Sequence, residues 1–395
     1  MNQKNIAYAR RRRSNMDCDP VLWKMAPHTN AKHQILKRYV EAWAPILSQK
    51  GYNETLVYID GFAGPGEYEG GEDGSPIVVL KALKNHSRQG DFKSKFMNLF
   101  IEICKERADH LRKVIEDRVE PLPSWIKYEI KTNDFNQYIK GLMKYLEDNK
   151  LSLAPTLTFV DPFGWTDLNY NVLSDLMKFE KGELLITFMA GFLDRFVWDD
   201  AHLPSIRKLF SDDQIEEIKK IEITEDRERQ IMEYFLKNLM EMIKSKTKVE
   251  DIKYLAFSAY NSANRLEYYL IHLTKSRMGF YAMKEAMYKV SHDGSYKFSD
   301  FDFDPNQRTL VDYGVDESWI GAASEDVMRY ISSLTSQGKK EIAISDIKDH
   351  VKYSTYWKYY NSILDKLEKD KKIQVVNCEK RKRGTFPDRC KISMI

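Results

Sequence analysis

The sequence predicts an α/β fold with a mostly parallel sheet covered on both faces, followed by a small module of three helices and a hairpin. Three observations predict it. Short apolar β-rich runs alternate with amphipathic helical segments between about residues 55 and 190, the pattern of a buried parallel sheet. Two longer strand-like runs, 253–261 and 266–275, flank a short Ser/Asn turn and predict an antiparallel hairpin at the sheet edge. Beyond about residue 300, three helix-length segments precede two short strands around a basic turn.

In order along the chain, residues 1–28 are polar and basic, with a run at Arg10–Arg13, and read as an N-terminal arm. A helix follows, capped by Thr29 or Asn30, with Ile35, Leu36, Tyr39, Val40 and Trp43 at helical spacing and Pro45 near its end. Strands are expected at 55–60, 96–104, 127–133, 156–161 and 183–189. Between them, helical periodicity covers Ile77–His86, Lys105–Arg118, Phe135–Asp148 and Tyr170–Phe179. The main domain is assigned to 29–300, a linker to 301–320 and a small domain to 321–395. In the small domain, Ser324, Ser345 and Ser354 are the expected helix caps, and "KIQVV" and "CKISM" bracket a basic tip. Three short helices and a hairpin form the winged-helix arrangement, an elaboration of helix-turn-helix.

Composition narrows the function classes. The 395 residues are 43% hydrophobic and 12% aromatic, enough for a substantial core. The net charge of +3 is the small difference between 62 basic and 59 acidic residues, so attraction for nucleic acid must come from local clusters. Cys18, Cys104, Cys378 and Cys390 form no C-x-x-C pair and have no companion histidines at zinc spacing, which fits a reducing cytosol; no metal is expected. No apolar run reaches membrane length, and no hydrophobic segment follows the basic run near the start, so a cytoplasmic protein is expected.

The chemistry concentrates where the strands end. In "YIDGFAGPG" the first strand closes on Asp60, and Gly61, Gly64 and Gly66 follow among Phe62 and Ala63. Glycines let the backbone turn sharply and approach a ligand, and ligands of open α/β sheets collect at the carboxyl ends of strands. Ser75 suits a helix N-cap and Pro76 the first helical position, so a helix N-terminus faces the loop. The spacing matches neither the P-loop nor the dinucleotide fingerprint. A leading carboxylate repels pyrophosphate but accepts from an ammonium, which points to a zwitterionic cofactor such as S-adenosylmethionine. Glu102 at the second strand end suits ribose hydroxyls; Asp134 at the third suits an adenine amino group, with Phe135 against its ring. Lys32 and His33, on the first helix, are candidates at the cofactor end.

At the fourth strand, "FVDPFGW" places Asp161 at the topological switch point. Here the chain resembles class I S-adenosylmethionine-dependent methyltransferases, particularly amino-methyltransferases of nucleic-acid bases. Their cofactor loop D-x-F-x-G-x-G is matched by Asp60 to Gly66, and their [DNS]-P-P-[YFW] motif is approximated by Asp161, Pro162, Phe163 and Gly164. A closer resemblance is to the three-Cys-motif partner (TcmP) family, carried by "KHQILKRYVEAW", "YIDGFAGPG", "DGSPIVVLKAL", "FVDPFGW", "ITFMAGFLDRF" and "MGFYAMKEAMYKV". It implies a Rossmann-like methyltransferase domain, a C-terminal winged helix and a partner protein with a three-cysteine motif like that of radical S-adenosylmethionine proteins. The TcmP likeness leaves the substrate open; the resemblance to base amino-methyltransferases implies roles, with Asp161 as the carboxylate acceptor for an exocyclic amine, Pro162 or Phe163 as the carbonyl acceptor, and Phe163 or Trp165 as the stacking face for an extruded base. Phe163 stands where the second proline is expected and Gly164 where the aromatic is expected.

In the small domain Tyr356, Trp357 and Lys358 on the third helix, with Lys380, Arg381, Lys382 and Arg383 at the tip, are candidate contacts to nucleic acid, DNA ahead of RNA. Two function classes remain: a methyltransferase acting on nucleic acid, or a cofactor-binding regulatory or scaffold protein that transfers no methyl group. Methylation of a protein or small molecule would keep the same cofactor residues.

Overall fold

A computed structural model describes residues 20–48, 54–247, 249, 251–291, 296–299, 317–351, 359–378 and 381–395. The chain divides into two compact units, Met1–Val290 with Lys297–Pro305, and Ser291–Tyr296 with Asn306–Ile395.

The first unit opens with α1 (Pro27–Ser48), so Pro27 starts the helix where the sequence suggested the arm would end. Proline fits there because the first helical N–H has no intrahelical partner. There follow β1 (Thr55–Asp60), α2 (Ser75–Lys84), β2 (Lys95–Glu102), α3 (Lys105–Arg118), β3 (Ile126–Thr132), α4 (Phe135–Asp148), β4 (Thr156–Val160), α5 (Tyr170–Met177) and β5 (Gly182–Phe188). The helices α6 (Ala190–Phe196), α7 (Leu203–Ile206), α8 (Asp212–Lys220) and α9 (Thr224–Lys246) precede β6 (Lys253–Tyr260), β7 (Leu266–Thr274), α10 (Arg277–Val290) and β8 (Lys297–Ser299).

The eight strands form one sheet in the order β3-β2-β1-β4-β5-β7-β6-β8. β1 to β5 run parallel, while β7 is antiparallel to both β5 and β6. This is the Rossmann-like methyltransferase order, in which the chain reverses direction across the sheet between β1 and β4. The expected hairpin is present, but it does not form the edge: β8 pairs parallel with β6 outside it. Strand pleating sends Ile59 into the core with α4, α5 and α9, while Tyr58 and Asp60 face the side of α2. Among the described residues no helix is long and apolar enough to cross a membrane.

The second unit contains α11 (Glu317–Ser336), β9 (Ile342–Ala343), α12 (Ile344–Val351), α13 (Tyr360–Lys369), β10 (Ile373–Val376) and β11 (Lys391–Met394). Its sheet is antiparallel in the order β10-β11-β9. Val327, Ile331, Ile347, Ile363, Leu367 and Ile392 belong to its core. α11 begins inside the expected linker, and Ser324 lies within it, buried, its hydroxyl donating to the Ile320 carbonyl at 2.6 Å rather than capping. Ser345 falls within the first turn of α12, and Ser354 lies outside the described residues. Cys378 and Cys390, expected as separate thiols, form a disulfide with their Cα atoms 4.8 Å apart.

Candidate functional site

The parallel register aligns three carboxylates. Asp60 pairs with Phe100 on one side and Phe159 on the other, so Glu102 and Asp161 each stand two residues beyond its level on the flanking strands. The Gly61 amide donates to the Phe159 carbonyl at 2.9 Å and the Ala63 amide to the Ile101 carbonyl at 2.9 Å, which carries the chain over both neighbours as it leaves β1. Gly61 has no room for a side chain, since a Cβ there would meet Phe135 Cδ2 at 2.7 Å. At Gly66 the backbone has φ +85° and a Cβ would lie 2.6 Å from Leu111. Both demand glycine.

Asp60 is fully buried. Tyr58 Oη donates to its Oδ2 at 3.2 Å, the Phe62 amide reaches Oδ1 at 3.3 Å, and the Ser75 hydroxyl supplies a further hydrogen bond. Burial pushes its pKa up to about 7, an effect these donors reduce and the Asp161 charge increases. Ser75 therefore does not cap α2. Gly74 holds the N-cap position, Ser75 and Pro76 lie in the first turn, and the Ser75 side chain is turned to Asp60.

Glu102 is buried and anchors the loop: the Gly64 amide donates to Oε2 at 2.9 Å and the Cys104 amide to Oε1 at 2.9 Å. Each carboxylate oxygen retains accepting capacity for a ligand hydroxyl. Asp134 caps α4, accepting from the Gln137 amide at 2.9 Å. Phe135 is buried beneath Gly61 with its ring 5.4 Å from that of Phe62. Phe135 thus supports the loop from below.

At β4, both Asp161 oxygens meet Lys32 Nζ, at 2.7 and 2.6 Å. Lys32 is 6% exposed, and its ammonium stands 5.1 Å from the Tyr268 ring centroid. Lys32 therefore belongs to the β4 side of the site. His33 is buried beside it. Desolvation lowers its pKa to about 4, the Lys32 charge adds to this, and Asp161 and a backbone hydrogen bond to Asp73 oppose it. Its Nδ1 is buried without a hydrogen-bond partner among the described residues.

Pro162 is buried, whereas Phe163 is 40% exposed. Trp165 is not beside it. It is 4% exposed, packed among Phe192, Phe196 and His202, and its Nε1 donates to Ser205 Oγ at 3.2 Å. The core takes the indole, which corrects the expectation of Trp165 as a stacking face. The aromatic that does approach is Trp23, with ring centroids 5.4 Å from Phe163 and 6.0 Å from Tyr68. The sequence reading missed it; a lone tryptophan in an otherwise polar, basic arm was the available signal. Asp194, after β5, is tied to Arg227 as an ion pair, with Nη2 to Oδ2 at 3.1 Å, so "FLDRF" serves packing.

In the second unit, Arg381 is held by Glu368, with Nη2 at 2.7 and 2.9 Å from its two oxygens, and lies over Phe386. Its charge is therefore already paired within the unit. Lys382 and Arg383 are exposed. Tyr356, Trp357, Lys358, Lys380 and the Arg10–Arg13 run lie outside the described residues.

No family model and no curated protein matches the chain. Among solved structures, Trm1 from Pyrococcus horikoshii in complex with S-adenosyl-L-methionine aligns over 77% of this chain and 72% of its own, at 13% identity and TM-score 0.37. An O-methyltransferase from Bacillus cereus in complex with S-adenosylhomocysteine aligns over 69% and 90%, at 12% identity and TM-score 0.33. The methyltransferase PaMTH1 of Podospora anserina, bound to S-adenosylhomocysteine, aligns over 69% and 96%, at 10% identity and TM-score 0.28. At these scores the likeness carries no weight, and the fold rests on the strand order.

Proposed function

We propose that the protein is an S-adenosylmethionine-dependent methyltransferase that methylates an exocyclic amine of a nucleic-acid base, with DNA ahead of RNA as the polymer. The observation that carries this reading is the convergence of Asp60, Glu102 and Asp161 at adjacent strand ends around a glycine loop tied to Glu102.

The residues fit the cofactor. The loop at Gly61 and Gly66 leaves no room for a Cβ, Asp60 is a buried carboxylate that gains from a neighbouring cation, and His33 Nδ1 has no hydrogen-bond partner among the described residues. Asp60 would hold the ammonium end, Glu102 the ribose hydroxyls and Asp134 the adenine amino group through its remaining accepting capacity. Bound there, the cofactor supplies an electrophilic methyl on a sulfonium. An exocyclic amine is a weak nucleophile because its lone pair is delocalised into the ring. Asp161 accepts one amine N–H and a backbone carbonyl at Pro162 or Phe163 the other, which localises the lone pair and aims it. Lys32 fixes the Asp161 carboxylate for that task. The second unit, read as a winged helix, contributes Lys382 and Arg383 as phosphate contacts. A partner with a three-cysteine motif belongs to this reading through the family resemblance alone.

The test is twofold. S-adenosylhomocysteine should raise the melting temperature of the wild type and of Asp161→Ala but not of Asp60→Ala. Mass spectrometry of DNA and RNA from cells with and without the protein should reveal a methylated base that Asp161→Ala abolishes. Absence of any cofactor-dependent shift at saturating ligand would sink the reading.

The departed "DPFG" motif, with Phe163 and Gly164 where a proline and an aromatic are expected, favours one alternative: a cofactor-binding regulatory or scaffold protein without methyl transfer. It keeps the thermal shift and lacks the methylated base.

A further inference from the structure

Trp23 bridges the two loops of the candidate site. Its ring lies beside Gly64, where a Cβ would be 3.6 Å from Cη2, and its centroid is 5.4 Å from that of Phe163 at an interplanar angle of 78°. The segment that carries it is fastened at several points. The Glu69 amide donates to the Trp23 carbonyl at 3.0 Å, Arg107 Nη2 donates to the Pro20 carbonyl at 3.0 Å, and the Arg107 guanidinium stands 5.0 Å from the Trp23 ring centroid. Tyr68 meets the indole edge-on at 6.0 Å. The side chain is therefore held in register with β4 by contacts from the glycine loop and from α3.

The fourth-strand motif offers a single partly exposed aromatic, Phe163, since Gly164 has no side chain and Trp165 is turned into the core. Trp23 adds a second partly exposed ring beside Phe163, which lies two residues beyond Asp161, and the two rings are set nearly perpendicular. A flat heteroaromatic ring laid against one of them presents its edge to the other, the geometry aromatic groups prefer.

We propose that Trp23, from the segment preceding α1, is the acceptor-positioning residue of this site, forming with Phe163 the aromatic corner that receives the extruded base. This rests on the methyltransferase reading above and adds to it the residue that selects a planar acceptor. Trp23 acts by stacking, so its removal weakens acceptor binding while the cofactor residues Asp60 and Glu102 keep their hydrogen bonds.

The test uses full-length protein and radiolabelled S-adenosylmethionine, with DNA and RNA extracted separately from cells lacking the protein as acceptors. Trp23→Ala should raise KM for the accepted polymer about tenfold, the scale of losing one base–aromatic stack, and leave kcat within about threefold. The affinity for S-adenosylhomocysteine, measured by calorimetry, should stay within about threefold of wild type. Trp23→Phe should restore most of the KM, and Phe163→Ala should reproduce the Trp23→Ala defect, which keeps the proposal testable if Trp23→Ala folds poorly. An unchanged KM in Trp23→Ala and Phe163→Ala overturns it. So does a loss of S-adenosylhomocysteine affinity in step with KM, which makes Trp23 a roof for the cofactor. A wild type that binds S-adenosylhomocysteine yet methylates neither polymer overturns the underlying reading, and the proposal with it.

Discussion

Lys32 Nζ lies within 2.7 Å of both carboxylate oxygens of Asp161, joining the first helix to the tip of the fourth strand across 129 residues of sequence. The lysine is nearly enclosed, and the Asp161 side chain keeps 21% of its surface. A cation so placed holds the carboxylate in one orientation while part of the side chain stays exposed. In the proposed methyl transfer it would set the direction from which the amine approaches.

Removing one member of this pair leaves the other uncompensated. Lys32→Met should destabilise the protein by about 2–3 kcal/mol, below the cost for a fully enclosed pair because Asp161 is partly solvated. Adding Asp161→Leu to Lys32→Met should recover most of that loss, giving a coupling energy readable by urea denaturation of the four species. Equal and additive losses would mean the two residues act independently. In methyl transfer, Lys32→Met should lower kcat by at least about tenfold, since a misoriented acceptor group degrades alignment of the reacting atoms.

Gly66→Ala should be more damaging than an ordinary loop substitution. The backbone there has φ +85°, and the added methyl would stand 2.6 Å from Leu111, a residue of α3 with no exposed surface. Left-handed backbone alone costs about 1–2 kcal/mol in a residue with a Cβ, before any clash. The expected result is a loss of at least about 2 kcal/mol together with weakened S-adenosylhomocysteine binding, because the loop hangs on Glu102 through Gly64. Wild-type stability in Gly66→Ala would show that the loop relaxes freely.

Much of the parallel half of the sheet was legible because its strands are short apolar runs closed by polar residues. β1 occupies the residues read as a strand, and Asp60, Glu102 and Asp161 stand at its tip and those of its neighbours. What local sequence cannot carry is partner choice. Ser75 looks like a cap by type and position, yet a buried carboxylate nearby outcompetes the backbone for its hydroxyl. Arg381 sits in a basic run, but Glu368 on the preceding helix neutralises it. Trp165 follows the acceptor motif directly, and its large apolar surface draws it into the core with Phe192 and Phe196. Lys32 and Asp161 are 129 residues apart, and no periodicity links them.

Asp60 gives the site a pH signature. Its pKa is raised to about 7 by burial, so the folded protein binds a proton that the unfolded chain, with an ordinary aspartate, has already released at pH 5–7. Its contribution to stability is full below about pH 4 and is lost as pH rises to about 7. Asp60→Asn should flatten that part of the stability profile and raise the melting temperature of the ligand-free protein at pH 8. For a ligand with an ammonium group the sign reverses. The ionised carboxylate binds it, so S-adenosylhomocysteine affinity should improve about fivefold from pH 6 to pH 7, with proton release on binding. Calorimetry in buffers of different ionisation enthalpy reads both effects. A pH-independent affinity in the wild type would remove Asp60 from the ammonium site.

In the second unit, the bidentate contact between Arg381 and Glu368 separates two outcomes that a basic run alone would merge. Arg381→Ala strips a partner from Glu368 and uncovers the Phe386 ring, so its effect should fall on folding, lowering the melting temperature of the full chain. Lys382 and Arg383 are exposed, and replacing both with alanine should leave stability within about 0.5 kcal/mol. If they contact phosphates, that double variant should bind DNA more weakly irrespective of sequence, and the slope of log affinity against log salt should fall by about 1.8. Fluorescence anisotropy over a salt series measures the slope directly. An unchanged slope would assign this turn to protein contacts or to solvent, and would leave nucleic-acid binding to other surfaces of the molecule.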